Sequence, residues 1–122
     1  MSHNGNDPIL PVPSDLYNDI GGIEDRVRQL RRDIRVIRNQ YAELRQSPDA
    51  LRVDELGEPI APTDAIGSAE HALQWAEYHL QDTSEAIDSA HQSASRLSLT
   101  EAACEHREQQ LEQRQTLIQR SR

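Results

Sequence analysis

Residues 16–44 read "LYNDIGGIEDRVRQLRRDIRVIRNQYAEL", with large apolar side chains at Leu16, Ile20, Ile23, Val27, Leu30, Ile34, Ile37, Tyr41 and Leu44. The steps between them alternate four and three without a slip. That is the stripe of an α-helix made to lie along another helix. The rest of the chain must supply the helix it lies against.

A second stripe follows after the 16-residue stretch "SPDALRVDELGEPIAP" at 47–62, which holds three of the six prolines. It runs Ile66, Ala69, Leu73, Ala76, Leu80, Thr83, Ile87, Ala90, Ala94 and Leu97. Pairing the two stripes antiparallel sets large residues against small ones, Ile34 against Ala76 and Tyr41 against Ala69, so that space is filled without voids. In the same register Arg31 faces Glu77, Arg38 faces Glu70 and Asp33 faces His79. A parallel dimer of the first helix would instead place Arg26 against Arg31 and Asp19 against Glu24, both repulsive. The sequence therefore predicts an all-α, elongated, coiled-coil-like antiparallel hairpin over 14–97, with helices at about 14–46 and 64–97 and a C-terminal helical extension at 98–122.

Flanking signals fill in the boundaries. Residues 1–13 read as an extended or disordered arm because of Pro8, Pro11 and Pro13. Ser14 is an expected N-cap for the first helix, and Thr63 or Asp64 for the second. The Gly21–Gly22 pair should weaken the first helix by about 1 kcal/mol per glycine relative to alanine. Beyond Leu97 the register continues through Cys104, Leu111 and Ile118, but alternate positions turn polar at Glu101, Glu108 and Gln115. "SLTE" at 98–101 matches a capping box. The surviving heptad phase favours an unbroken second helix.

Composition narrows the function classes. The chain has 122 residues, 35% of them hydrophobic, with 3% aromatics and no Phe; one domain of thin helices fits this better than a thick core. No stretch is long and apolar enough to insert in a membrane, and the first residues lack the pattern of a cleaved signal. A cytoplasmic location is therefore expected, consistent with the single cysteine, Cys104. The net charge of −8 is uneven, with +2 over 16–46 and −9 over 47–95. An acidic chain is a poor general binder of nucleic acid.

No catalytic constellation emerges. The histidines His3, His71, His79, His91 and His106 include no pair three or four apart, as a helical metal site needs. "IGGIEDR" at 20–26 lacks the lysine of a phosphate loop. Cys104 and His106 are two apart, so on a helix they point away from each other. No enzyme, metal or cofactor is expected.

What remains is surface for binding. His71, Trp75 and Tyr78 follow one another at i, i+4 and i+7 off the apolar stripe, the chemistry of an interface anchor. Arg28, Arg32 and Arg35 form a basic stripe on the back of the first helix, suited to an acidic partner or to phosphate. Cys104, Leu111 and Ile118 are the residual seam of the C-terminal segment. Two narrow seams barely offset the entropy of ordering the helices, so burial is expected to be completed by association. The expected function is a non-enzymatic protein–protein interaction, as an adaptor or assembly component that binds another protein, itself, or both. A nucleic-acid accessory role through the arginine stripe is the alternative. "YHLQD", Tyr78 to Asp82, matches the Y-x-x-x-D/E signal of type VII secretion substrates, and a hairpin of this size resembles the WXG100 proteins. The turn holds no W-x-G, and the signal lies mid-helix. That resemblance implies export without a cleaved signal peptide.

Overall fold

A computed structural model describes residues 8–120. The sequence expectations for residues 1–7, including His3, and for the last two residues lie outside that range. The described residues contain three α-helices: α1 (Pro13–Arg45), α2 (Pro62–Ala94) and α3 (Glu101–Arg120), with one 3-10 turn at Pro48–Ala50. There is no strand among them. α1 packs against α2 as a helical hairpin.

Both long helices begin on proline rather than on the expected caps. The Val12 carbonyl accepts from the N–H of Asp15 and Leu16, and the Ala61 carbonyl accepts from those of Asp64 and Ala65. Pro13 and Pro62 thus occupy the first helical position, where a missing N–H costs nothing and φ is already set. Ser14, Thr63 and Asp64 lie inside the helices instead of capping them.

The unbroken continuation of α2 into the C-terminal segment does not occur. α2 stops at Ala94 and a new helix starts at Glu101. Arg96 and Leu97 donate to the Ser93 and Ala94 carbonyls, tightening the last turn, and Ser95 Oγ donates to Gln92 O at 2.6 Å. Ser93, Ser95, Ser98 and Thr100 offer the backbone alternative partners, which is how hydroxyl residues end helices. Thr100 caps α3, its Oγ1 accepting from the Ala103 N–H at 3.2 Å.

The chain divides into two compact units. One comprises Gly21–Ser89 and so holds most of the α1–α2 hairpin. In it α1 turns Val27, Ile34 and Tyr41 toward α2, flanked by Glu24, Arg31 and Arg38. α2 answers with Ile66, Leu73, Leu80 and Ile87, flanked by Glu70, Glu77 and Ser84. Only Ile34 and Ile66 are buried, at 8% and 5% exposure. The other unit comprises the described residues up to Ile20 and from Ala90 onward. There Tyr17 stacks on His91 with ring centroids 4.0 Å apart, and Arg107 Nε donates to the Leu10 carbonyl at 2.9 Å.

This arrangement corrects the expected seam by one row. Leu16, Ile23, Leu30, Ile37 and Leu44 remain 42–48% exposed, while the neighbouring row of Tyr17, Glu24, Arg31 and Arg38 is half-buried. On α2, Thr83 is exposed and Ser84 is half-buried. Charge explains the choice. Arg35 bonds Glu77 at 2.7 Å, Arg38 also bonds Glu77, and Arg45 bonds Glu70 at 2.7 Å. Turning α1 toward these carboxylates lets the Arg38 stem cover apolar surface while its head pairs. Turning it the other way would set Ile37 against alanines, with less to touch.

Candidate interaction surfaces

The most organised exposed cluster lies on α2 within the hairpin unit. His71 and Trp75 are one helical turn apart, so the indole Nε1–H reaches His71 Nε2 and donates to it at 3.0 Å. His79, a further turn on, stacks on Trp75 with centroids 5.5 Å apart and 24° between the rings. Tyr78 meets Trp75 edge to face at 5.9 Å and His79 at 5.8 Å. Trp75 is 51% and Tyr78 62% exposed.

Two consequences follow from this geometry. The indole N–H already has its acceptor, so a partner can cover the Trp75 ring without leaving that donor unsatisfied. The rings are also held by one another on a rigid helix, so little rotamer entropy remains to be lost on binding. His71, Gln74, Trp75 and Tyr78 line a shallow notch of about 390 Å³. The three aromatics expected from the sequence do come together. His79 was missed as their fourth member, although its place four residues after Trp75 was legible.

The arginines expected to bind a partner are mostly engaged within the chain. Arg28 lies 3.5 Å from Asp25 and 3.8 Å from Glu24, and Arg32 donates to Gln29 at 2.7 Å. Arg35 shares Glu77 with Arg38. Burial pushes the Glu77 carboxyl up, and the two guanidiniums more than reverse this, holding it below the usual carboxylate range. Arg31 was expected to meet Glu77; its Nε is instead buried without a hydrogen-bond partner. Asp33, expected opposite His79, accepts from Gln29 on its own helix at 2.8 Å.

In the other unit, Cys104 is an exposed free thiol at the edge of a cavity of about 270 Å³, lined also by Val12, Leu97, Leu99 and Arg107. Leu111 and Ile118 are exposed along α3, which buries no residue. Among the described residues no group of three or more His, Cys, Asp or Glu is placed to hold a metal ion, and no helix is long and apolar enough to cross a membrane. No family model, no curated protein and no solved structure matches this chain.

Proposed function

We propose that this chain is a non-enzymatic helical interaction protein, an adaptor or assembly component, and that the ring cluster of α2 is its principal partner-binding surface. The carrying observation is that cluster: four interlocked rings, with Trp75 and Tyr78 more than half exposed. Exposed tryptophan and tyrosine on a rigid element are the residues that dominate binding energy at interfaces. Arg28, Arg32 and Arg35 on α1, exposed although bonded within the chain, offer a secondary, polar contact. Cys104, Leu111 and Ile118 offer a further seam on α3. An exposed free thiol at Cys104 suits a reducing, cytoplasmic setting. The nucleic-acid alternative draws less support, because Arg28 and Arg35 already have carboxylate partners. Export as a WXG100-like hairpin keeps the hairpin itself and the signal-like residues Tyr78 and Asp82, which lie inside α2 rather than after it.

The test is Trp75→Ala, measured twice. Circular dichroism melting of the free chain should change little, since substitutions at surface positions usually shift stability by no more than ~0.5 kcal/mol. Sedimentation or pull-down with a captured partner should weaken by about thirty-fold, the equivalent of ~2 kcal/mol for a central interface tryptophan. A collapse of melting with unchanged assembly per folded molecule would make Trp75 an internal packing residue and remove the proposed surface.

A further inference from the structure

The row that α1 does not use against α2 forms a ridge. Ile23, Leu30, Ile37 and Leu44 recur every seven residues and are each 42–48% exposed. On α2, the positions equivalent in heptad register are Ala65, Ala69, Ala72, Ala76, His79, Thr83 and Ala86, all small except His79. By helical angle both sets lie on the same side of the hairpin, next to the packed rows of Ile34 and Leu73. One face of the molecule thus carries a ridge of large side chains beside a shelf of small ones.

Such a face is complementary to itself. We propose that a second copy of this chain docks here through a two-fold axis running along the helices, the ridge of each α1 lying on the alanine shelf of the other copy's α2 to close a four-helix bundle. This deepens the interaction reading above and rests on it.

Three observations choose a second copy as the occupant. The first is register. The Arg38–Glu77 and Arg45–Glu70 pairs fix which residues of α1 and α2 lie level. An axis along the helices preserves those levels, so Leu44 falls on Ala69 and Ala72, Ile37 on Ala76 and His79, and Leu30 on Thr83 and Ala86. Large meets small at every one of these contacts except that of Ile37 with His79, as close packing of four helices favours. A two-fold axis across the helices would instead set ridge on ridge. The second is charge: the same levels bring Asp33, at the outer edge of the ridge, to within about one helical turn of His79 in the other copy's shelf. Within the chain these two do not meet, Asp33 being bonded to Gln29. The third is size. Residues 23–44 span about 33 Å of helix at ~1.5 Å per residue, and two helices about 9 Å apart give a face roughly 20 Å wide. That footprint approaches the ~800 Å² per partner of a stable interface.

α3 is a poorer occupant of this face. It alternates Cys104, Leu111 and Ile118 with Glu101, Glu108 and Gln115, so it lacks the continuous apolar stripe needed to cover a four-residue ridge.

The experiment is sedimentation equilibrium of the full chain at concentrations up to about 100 μM, with Ile37→Asp, Ala72→Arg and Val36→Asp. Val36 is 56% exposed on the same helix but off the ridge. A dimer is expected for the wild type and for Val36→Asp, weakened about tenfold or more in the other two. Ala72 is exposed, so Ala72→Arg should fold even if Ile37→Asp does not. Arrangement is read by mixing two chains that both carry Cys104→Ser, one with Ile37→Cys and one with Ala76→Cys. Disulfide-linked heterodimers are expected in excess over either homodimer. A monomer throughout the range, or a dimer indifferent to Ile37→Asp and Ala72→Arg, overturns the second copy as occupant. If that monomer still captures a partner in a Trp75-dependent way, the interaction reading stands without this inference; if it captures none, both fall.

Discussion

Ile34 and Ile37 sit three residues apart on α1, and replacing each with alanine separates the row that α1 packs from the row it leaves open. The side chains are identical, so the change in helix propensity, about 0.4 kcal/mol in favour of alanine, is the same at both. Each substitution removes three carbons, at ~0.8 kcal/mol per buried carbon. Ile34 is 8% exposed, so nearly the whole effect is realised, with a cavity contribution added. The net cost is about 2–3 kcal/mol. Ile37 is 43% exposed, so a little over half is realised and its surroundings can relax, leaving about 1 kcal/mol. At roughly 4 °C per kcal/mol for a chain of this size, the variants should melt about 8–12 °C and about 4 °C below the wild type. The assay is thermal unfolding followed by circular dichroism, in protein dilute enough that self-association is absent. Equal losses, or a larger loss for Ile37→Ala, would show that the packed row is the one containing Ile23, Leu30 and Ile37. The rotation of α1 toward Glu70 and Glu77 would then be wrong.

Three further outcomes are expected. Glu77→Gln should cost about 1 kcal/mol at neutral pH. Because the folded-state carboxyl is held below its ordinary value of 4.5, the difference from wild type should be complete above that value and vanish as pH falls through the lowered one; a gap that persists in strong acid contradicts the ion pair as its source. Gly22→Ala should stabilise α1 by about 0.5–1 kcal/mol, since an added Cβ meets nothing within 4 Å; a lower melting temperature would show that the glycine serves a close approach. Thr100→Ala should lose about 1 kcal/mol of local stability at the start of α3. Amide exchange at Ala103 should then accelerate while the hairpin amides keep their protection.

The helical hairpin was legible because the four-three spacing of Ile20, Ile23, Val27, Leu30 and Ile34 admits no other regular structure. Its packed face was not legible from that spacing alone. The row of Val27, Ile34 and Tyr41 has two neighbours, and apolar character points to Leu30 and Ile37 rather than to Arg31 and Arg38. The partner decided otherwise. Glu70 and Glu77 reward a guanidinium, and an arginine stem covers apolar surface nearly as well as an aliphatic side chain, which a count of hydrophobic positions ignores. The end of α2 misled for a similar reason. Heptad phase carries through Ala94, Leu97 and Cys104, but phase reports only where a helix would face, and the hydroxyls of Ser95 and Thr100 decide locally whether it continues. Of the ring cluster, His71, Trp75 and Tyr78 were legible as a spacing. The stack of Trp75 on His79 depended on rotamers that no spacing records.

The ridge and the ring cluster have a joint consequence. By helical angle His71 and Tyr78 face away from the shelf, and Trp75 stands at its margin over His79. Two copies joined ridge to shelf therefore display two ring clusters on one rigid body. A partner with repeated sites then meets both clusters at high effective concentration, and its apparent affinity exceeds that of either cluster alone by about a hundredfold or more. Ala72→Arg leaves every ring in place and blocks only the second copy. It should therefore reduce capture of a multivalent partner while a monovalent fragment of that partner binds as before. Trp75→Ala should weaken both. Equal loss of monovalent binding in the two variants would mean that the shelf itself, rather than the doubling it allows, contacts the partner.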